Sequence, residues 1–275
     1  MDISTIKERK SVRTFDGEPL SAKTLSQLED FIQKDENPFS VPITYRMLDR
    51  RRDDVSSPVI VGADTYIAAK YRRQEDAELG FGYSFERLVL YATSLGLGTV
   101  WLAATIDRKA FERALEVAPD EVMPAVTPIG YAAEKRSVRE SLMRRNMKSD
   151  SRPPFESLFF AGDFTHPLAE EGAGCLLEPL QMVRWSPSAT NKQPWRIVVD
   201  GKNVHFFEHK TRGYARETTG DIQKVDLGIA ACHFEIAARE SGIEGTFRKC
   251  DSGIPAPDGT DNITTYAMEF SPLEG

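Results

Sequence analysis

The 275-residue chain has no apolar run approaching the roughly 20 residues of a membrane-spanning helix. Its start, Met1-Asp2-Ile3-Ser4, is not the basic-then-apolar opening of a secretory leader. Cysteine is scarce. Three residues (Cys175, Cys232, Cys250) are an odd number, and none forms a CxxC pair, so no disulfide framework is implied. The four histidines are not spaced as metal ligands, and no metal is expected. Neither GxGxxG nor GxxxxGK[ST] occurs, which leaves a Rossmann dinucleotide site and a P-loop without support. Gly80-Phe81-Gly82 lacks the third glycine and reads as glycines opening a helix. A net charge of −7 argues against nucleic acid or a polybasic membrane surface as partner. A soluble cytoplasmic protein is the expectation.

What is present is a mixture of long helices and short strands. Ser21 is placed to cap a helix whose Leu25, Leu28, Phe31 and Ile32 share one face, stopped by Lys34-Asp35-Glu36-Asn37-Pro38. A longer helix is expected over 79–95, with Phe85, Leu88, Val89 and Ala92 inward and Gly96 at its end. Asp107 opens a short helix carrying Phe111 and Leu115. Strand-like runs fall at 58–62, 99–103, 125–131, 195–200, 204–208 and 264–270. The pattern predicts an α+β fold with a mixed or antiparallel sheet in each half and helices packed on it.

Sliding the chain along itself by about 148 residues reveals an internal repeat. Phe15-Asp16-Gly17-Glu18-Pro19-Leu20 recurs loosely as Phe164-Thr165-His166-Pro167-Leu168. Leu79-Gly80, Phe85-Glu86 and the Gly96–Thr99 turn recur as Leu227-Gly228, Phe234-Glu235 and the Gly242–Thr246 turn. The polar stretch Lys148–Pro154 marks the boundary between halves spanning 1–150 and 151–275.

Three segments carry chemistry. Arg9-Lys10-Ser11-Val12-Arg13-Thr14-Phe15 alternates cations with a hydroxyl on one polar face, able to grip a phosphate and a ribityl chain. A solvated basic N-terminus is the bland alternative. Ser186-Pro187-Ser188-Ala189-Thr190-Asn191-Lys192-Gln193-Pro194-Trp195 mixes turn formers, amides and hydroxyls, then enters an apolar strand. Such a loop can offer amides to a flat polar heterocycle, or be an ordinary Asn/Ser turn. Glu134-Lys135-Arg136 follows Gly130-Tyr131 and offers more phosphate contacts or a solvated face. His209–Arg216 reads as a solvated connection that could border the pocket and favour an anionic reductant.

Together the Arg-x-Ser-x-Arg-x-Phe, Pro-Ser-x-x-Asn-x-Gln-Pro-Trp, Gly-Leu-Gly-Thr and Gly-Tyr-x-x-Glu-Lys segments resemble the FMN-dependent nitroreductase family, with the Asn-x-Gln-Pro-Trp loop the most specific part. The resemblance implies FMN as cofactor and NAD(P)H as reductant. It implies ping-pong electron transfer to a small acceptor such as a nitroaromatic or quinone. Ordinary members are homodimers that build each flavin site at the interface. This chain departs from them: Asn37-Pro38-Phe39-Ser40-Val41-Pro42 stands where the amide loop belongs, and Phe159-Phe160-Ala161-Gly162 stands where the arginine–serine motif belongs. The expectation is therefore a pseudo-dimer with divided labour and long central helices near 79–95 and 227–241 at its core. The first half would supply Arg9, Lys10, Ser11, Arg13, Gly98, Thr99, Lys135 and Arg136, and the second Pro187, Ser188, Asn191 and Gln193. One composite site would survive, and the symmetry-related one would be empty. No side chain is assigned as a catalytic nucleophile or base. The chain is expected to be monomeric, with a homo-oligomer as the other outcome. The rival function is a flavin-binding or small-molecule-sensing protein that has lost catalysis.

Overall fold

The computed structural model describes residues 1–134 and 151–269. Two five-stranded sheets and a small antiparallel ribbon of β9 (Ala215–Arg216) and β10 (Gly220–Asp221), with helices between and around them, give the α+β architecture expected. The first runs in the order β1 (Ile43–Asp49), β2 (Thr65–Arg72), β5 (Val126–Gly130), β3 (Gly98–Thr99), with the short β4 (Glu121–Val122) also on β2. All its pairs are antiparallel. The second runs β7 (Trp195–Asp200), β8 (Asn203–His209), β12 (Thr260–Glu269), β11 (Glu244–Arg248), and again these pairs are antiparallel. On its outer edge β6 (Phe159–Ala161) lies parallel to β7. Each sheet thus orders a hairpin, then its last strand, then the short strand that follows the half's long helix. The repeat read weakly in the sequence is a repeat of topology.

The helices follow from local chemistry. Ser21 caps α2 (Ala22–Gln33), its hydroxyl accepting from the Thr24 N–H at 3.1 Å, while Leu28 is fully buried and Phe31 stacks on Tyr91 at 4.3 Å. Asp107 caps α4 (Arg108–Ala114), accepting from Ala110 N–H. The two long helices are α3 (Ala77–Ser94) and α6 (Ile222–Glu240). Gly96, at φ +76°, closes α3 as expected. The inward face expected of α3 is only part of what is buried. Leu79, Gly80, Phe81, Gly82, Ser84 and Glu86 are buried as well, because one side of the helix meets the first sheet and the other meets α6.

The crossing of α3 and α6 is set by two glycines. A β-carbon on Gly82 would come within 2.0 Å of the Val225 carbonyl oxygen, and one on Gly228 within 2.2 Å of the Leu79 carbonyl oxygen. Gly82 therefore does not serve as a helix-start glycine. It and Gly228 let two backbones touch.

Other expectations need correction. Residues 58–62 are a turn with one bridge at Val61, and 99–103 shortens to Gly98–Thr99 plus a bridge at Leu102. Strands β1, β2 and β11 and the helix α5 (Leu177–Trp185) were not anticipated. β1 buries only Leu48 outright, and β2 carries a buried Lys70 whose ammonium donates to the Glu121 carboxylate at 2.6 Å and the Glu116 carbonyl at 2.7 Å. A buried lysine breaks the apolar signal by which a strand is read. Phe270, the last residue of an expected strand, lies outside the described residues.

Alanine at Gly228 should lower stability by roughly 1–3 kcal/mol or more, despite the better helix propensity of alanine. Chemical denaturation of Gly228→Ala would measure it. An unchanged midpoint would show that the helices do not meet here.

Candidate functional site

The N-terminal helix α1 (Ile3–Glu8) belongs to the first half by sequence but lies on the second. Ile6 is buried in the second half's core, Lys7 pairs with Glu178 of α5 at 2.7 Å, and the Ile3 N–H donates to Glu240 of α6 at 2.7 Å. Asp2 caps α1, its carboxylate accepting from the Thr5 N–H and hydroxyl, which holds that acid below its usual pKa. α1 thereby delivers Arg9-Lys10-Ser11-Val12-Arg13 to the seam between the halves.

From there the chain runs along the edge of the first sheet. Val12 N–H donates to the Thr99 carbonyl at 2.8 Å, Val61 N–H to the Arg13 carbonyl at 2.9 Å, and Phe15 N–H to the Val61 carbonyl at 2.8 Å. Gly98 is packed under Val12, whose Cβ lies 2.9 Å from where a β-carbon on Gly98 would stand, and Thr99 is buried between Ser11 and β5. Gly98 and Thr99 thus serve here as the rail on which the arginine–serine segment is laid. Lys10, Ser11, Val12 and Thr14, with Ala132, Ala133 and Glu134, line an open cleft of about 420 Å³. Arg13 is nearly buried. Lys135 and Arg136 lie outside the described residues.

The second-half segment is a bent loop. Thr190, Asn191 and Gln193 all take left-handed φ values (49°, 57° and 50°), which cost on the order of 1 kcal/mol each. Short hydrogen bonds hold the bend. Gln193 N–H donates to Ser188 Oγ at 2.9 Å and Asn191 N–H to the Ser188 carbonyl at 3.0 Å. Below it, the buried Asp226 of α6 accepts from Ala189 N–H through both oxygens, at 3.0 and 3.1 Å. Pro187 and Asn191 are half-buried, whereas Gln193 is only 2% exposed. The two amides converge on one acceptor, the Ser151 carbonyl, which receives Asn191 Nδ2 at 3.1 Å and Gln193 Nε2 at 3.3 Å. Gln193 Oε1 is buried and has no hydrogen-bond partner among the described residues.

A buried polar chain runs from the first segment toward the second. Arg9 Nε lies 3.7 Å from Glu86 Oε1 on α3, and the same oxygen meets His233 Nε2 of α6 at 2.9 Å. Trp101 Nε1 donates to the other Glu86 oxygen at 2.7 Å, and His233 Nδ1 faces the Met182 carbonyl of α5 at 3.1 Å. Ser186, the first residue of the loop, donates its hydroxyl to that carbonyl too, at 3.3 Å. Glu86 and His233 are both fully buried. Sequence reasoning used Glu86 only as a marker of the repeat and passed over His233, Trp101, Ser151 and Asp226. Its one available signal was an acid among apolar neighbours on a long helix. The connection 209–216 does border the loop, with the hydroxyls of Tyr214 and Thr190 2.5 Å apart.

Comparison with known proteins names this arrangement. Residues 2–238 match the family described as "Putative TM nitroreductase". The chain belongs to this nitroreductase family. Membership gives it a general oxidoreductase role. The chain shares its fold with a putative nitroreductase from Thermotoga maritima, at 23% identity and a TM-score of 0.61, with 98% of this chain and 93% of that one covered. A nitroreductase with bound FMN from Bacteroides fragilis matches at 18% identity and a TM-score of 0.40, over 50% of this chain and 90% of that one. An FMN-dependent nitroreductase from Clostridium difficile matches at 15% identity and 0.42, over 49% and 90%. No curated protein matches the nitroreductase-family chain in sequence. Among its described residues no helix is long and apolar enough to cross a membrane, and no cluster of His, Cys, Asp and Glu could hold a metal ion.

Acids lie beneath the loop. Burial pushes the Asp226 carboxyl well up, and burial together with nearby Asp221 raises Glu208 to about 7. A carboxyl raised in the fold stabilises it below the unfolded value and loses that contribution as pH climbs through the folded one. For Glu208 the loss is on the order of 3 kcal/mol between about pH 4.5 and pH 7. Glu208→Gln should flatten the stability–pH curve across this window. Denaturation midpoints at pH 5 and pH 8 that shift equally in wild type and variant would refute the assignment.

Proposed function

We propose that the chain is an FMN-dependent NAD(P)H oxidoreductase whose halves, 1–150 and 151–275, form a monomeric pseudo-dimer with one composite flavin site. The observation that carries this reading is the loop 188–193, whose three strained residues present two amides and a buried Gln193 Oε1 lacking a partner among the described residues. Strain kept at a polar loop is a mark of a binding site, and an unpaired buried acceptor suits a ligand that brings an N–H. A flavin pyrimidine edge offers alternating carbonyls and an N–H.

The residues present fit the cofactor. Arg9, Lys10 and Ser11, at and around the cleft, would hold the phosphate and ribityl chain, and Lys135 and Arg136 are expected to join them. Arg13 would balance negative charge near the pyrimidine edge. Gly98 and Thr99 act by fixing the path of Ser11 and Val12. Pro187 shapes the loop, Ser188 holds its bend, and Asn191 and Gln193 meet the ring once the Ser151 carbonyl gives up their amides. The chemistry that FMN supplies when bound is hydride acceptance from NAD(P)H and electron delivery to a small acceptor such as a nitroaromatic or quinone, in ping-pong order. No protein nucleophile or base is assigned.

The repeat-related position at 37–42 has a different use. Asn37 spends its amide inside the first half, donating to the Val41 carbonyl at 2.7 Å and to Ser84 Oγ at 3.1 Å. Phe39 beside it packs on Tyr83 and Phe247.

Titration of the purified protein with FMN should give one flavin per chain, and Arg9→Ala/Asn191→Ala should weaken binding roughly 100-fold or more. Reduction of the bound flavin by NADH or NADPH, followed by reoxidation with a quinone, should complete a turnover. Two flavins per chain would overturn the divided-labour site, and no bound flavin would overturn the function.

A further inference from the structure

The most heavily buried ionic group at the seam has no part in the flavin contacts above, yet it touches both sides of the proposed site. Glu86 sits at 0% exposure on α3 and His233 at 0% on α6. His233 Nδ1 faces a carbonyl oxygen, which can only accept, and Nε2 faces a carboxylate that also receives the Trp101 indole N–H. The cluster gathers three groups around one buried acid: Trp101 and His233 within hydrogen-bond distance and the Arg9 guanidinium as an ion-pair partner at 3.7 Å.

We propose that Glu86 and His233 are positioning residues. They aim Arg9 at the flavin phosphate, and through the Met182 carbonyl they tie that grip to the start of the amide loop in the other half. The inference rests on the flavin reading above. Arg9 faces Glu86 through Nε, the guanidinium nitrogen closest to the main chain, so the contact bears on the orientation of the guanidinium plane. A long arginine at a cleft edge otherwise loses rotamer entropy when it takes up phosphate, and prior anchoring reduces that cost. On the far side, the Met182 carbonyl accepts from both His233 and Ser186, so the loop begins from a point held by the same chain.

The test separates positioning from mere support of the fold. In Glu86→Gln the side chain keeps its size while the acidic oxygen that Arg9 Nε faces is replaced by an amide, so Arg9 loses its ion-pair partner. The wild-type protein, Glu86→Gln and His233→Gln would be titrated with FMN and, separately, with riboflavin, which lacks the phosphate. The expected result is about a ten-fold weaker FMN affinity with riboflavin affinity changed less than about two-fold, because only the phosphate is read through Arg9. Arg9→Ala should lose the same discrimination, and Glu86→Gln added to it should cost nothing further for FMN. If one variant fails to fold, the other carries the comparison. Equal weakening of FMN and riboflavin would make the pair a fold-supporting element and overturn the proposal, as would an unchanged or tighter FMN affinity. A wild-type protein that binds neither flavin overturns the functional reading itself. One that binds both equally keeps a flavin site while refuting a phosphate grip through Arg9.

Discussion

Everything at the seam depends on how closely α3 and α6 approach. Gly82 and Gly228 face each other with no room for a β-carbon on either, so the two backbones are in van der Waals contact. One turn further along α3 comes Glu86, and just over one turn along α6 comes His233, and at that separation the two side chains meet at 2.9 Å. Tyr83 and Glu235 join across the same crossing, and the acid helps burial drive the tyrosine pKa far up. Wider spacing would leave two buried polar side chains without each other, which is strongly destabilising. The glycines are therefore the condition on which polar side chains can be buried inside this interface.

The two sides of that crossing have the same topology and have diverged in what they do with it. Asn37 and Asn191 occupy related places before a sheet hairpin. Asn37 turns inward, taking the Phe39 and Val41 N–H groups on its oxygen and giving its nitrogen to Val41 and to Ser84 of α3, so its hydrogen-bonding capacity is spent within the first half. Asn191 is held in a left-handed conformation, and its side chain reaches outside the loop to Ser151. Glu86 and Glu235 diverge in the same way. One collects His233, Trp101 and Arg9, and the other takes a tyrosine hydroxyl and Arg239. The two frames share a strand order, and small polar differences decide which hydrogen bonds each one makes.

This contrast explains what could be read in advance. α2 and α4 were legible because a capping side chain announces each, and β7, β8 and β12 because their apolar content survives. β2 was not, since Ala68, Ala69 and a buried Lys70 give no β signature, and the lysine is satisfied only by Glu121 and Glu116, about 50 residues away. Nor was the role of Gly82, because a glycine at a helix crossing and one at a helix start look alike until the partner helix is known. The loop 186–195 was visible as a motif, and its strain was not. Left-handed φ at Thr190 and Gln193 is a decision made by tertiary contacts against local preference. Glu86 and His233 lie 147 residues apart, and no spacing in the chain announces a pair made by two helices meeting.

The loop's strain has an identifiable counterweight. Three left-handed residues within four positions would relax if nothing opposed them, and the groups that oppose them are few. Ser188 closes the bend from within, Asp226 grips Ala189 N–H from below, and Ser186 ties the entry to Met182. Asp226 is fully buried, and its raised pKa favours the neutral acid, which accepts a hydrogen bond without placing a full charge under the loop. On the proposed flavin reading, holding the amides in a conformation the free chain would avoid would also limit the reorganisation on binding. The folded chain thus carries the cost of shaping this loop within its own hydrogen bonds.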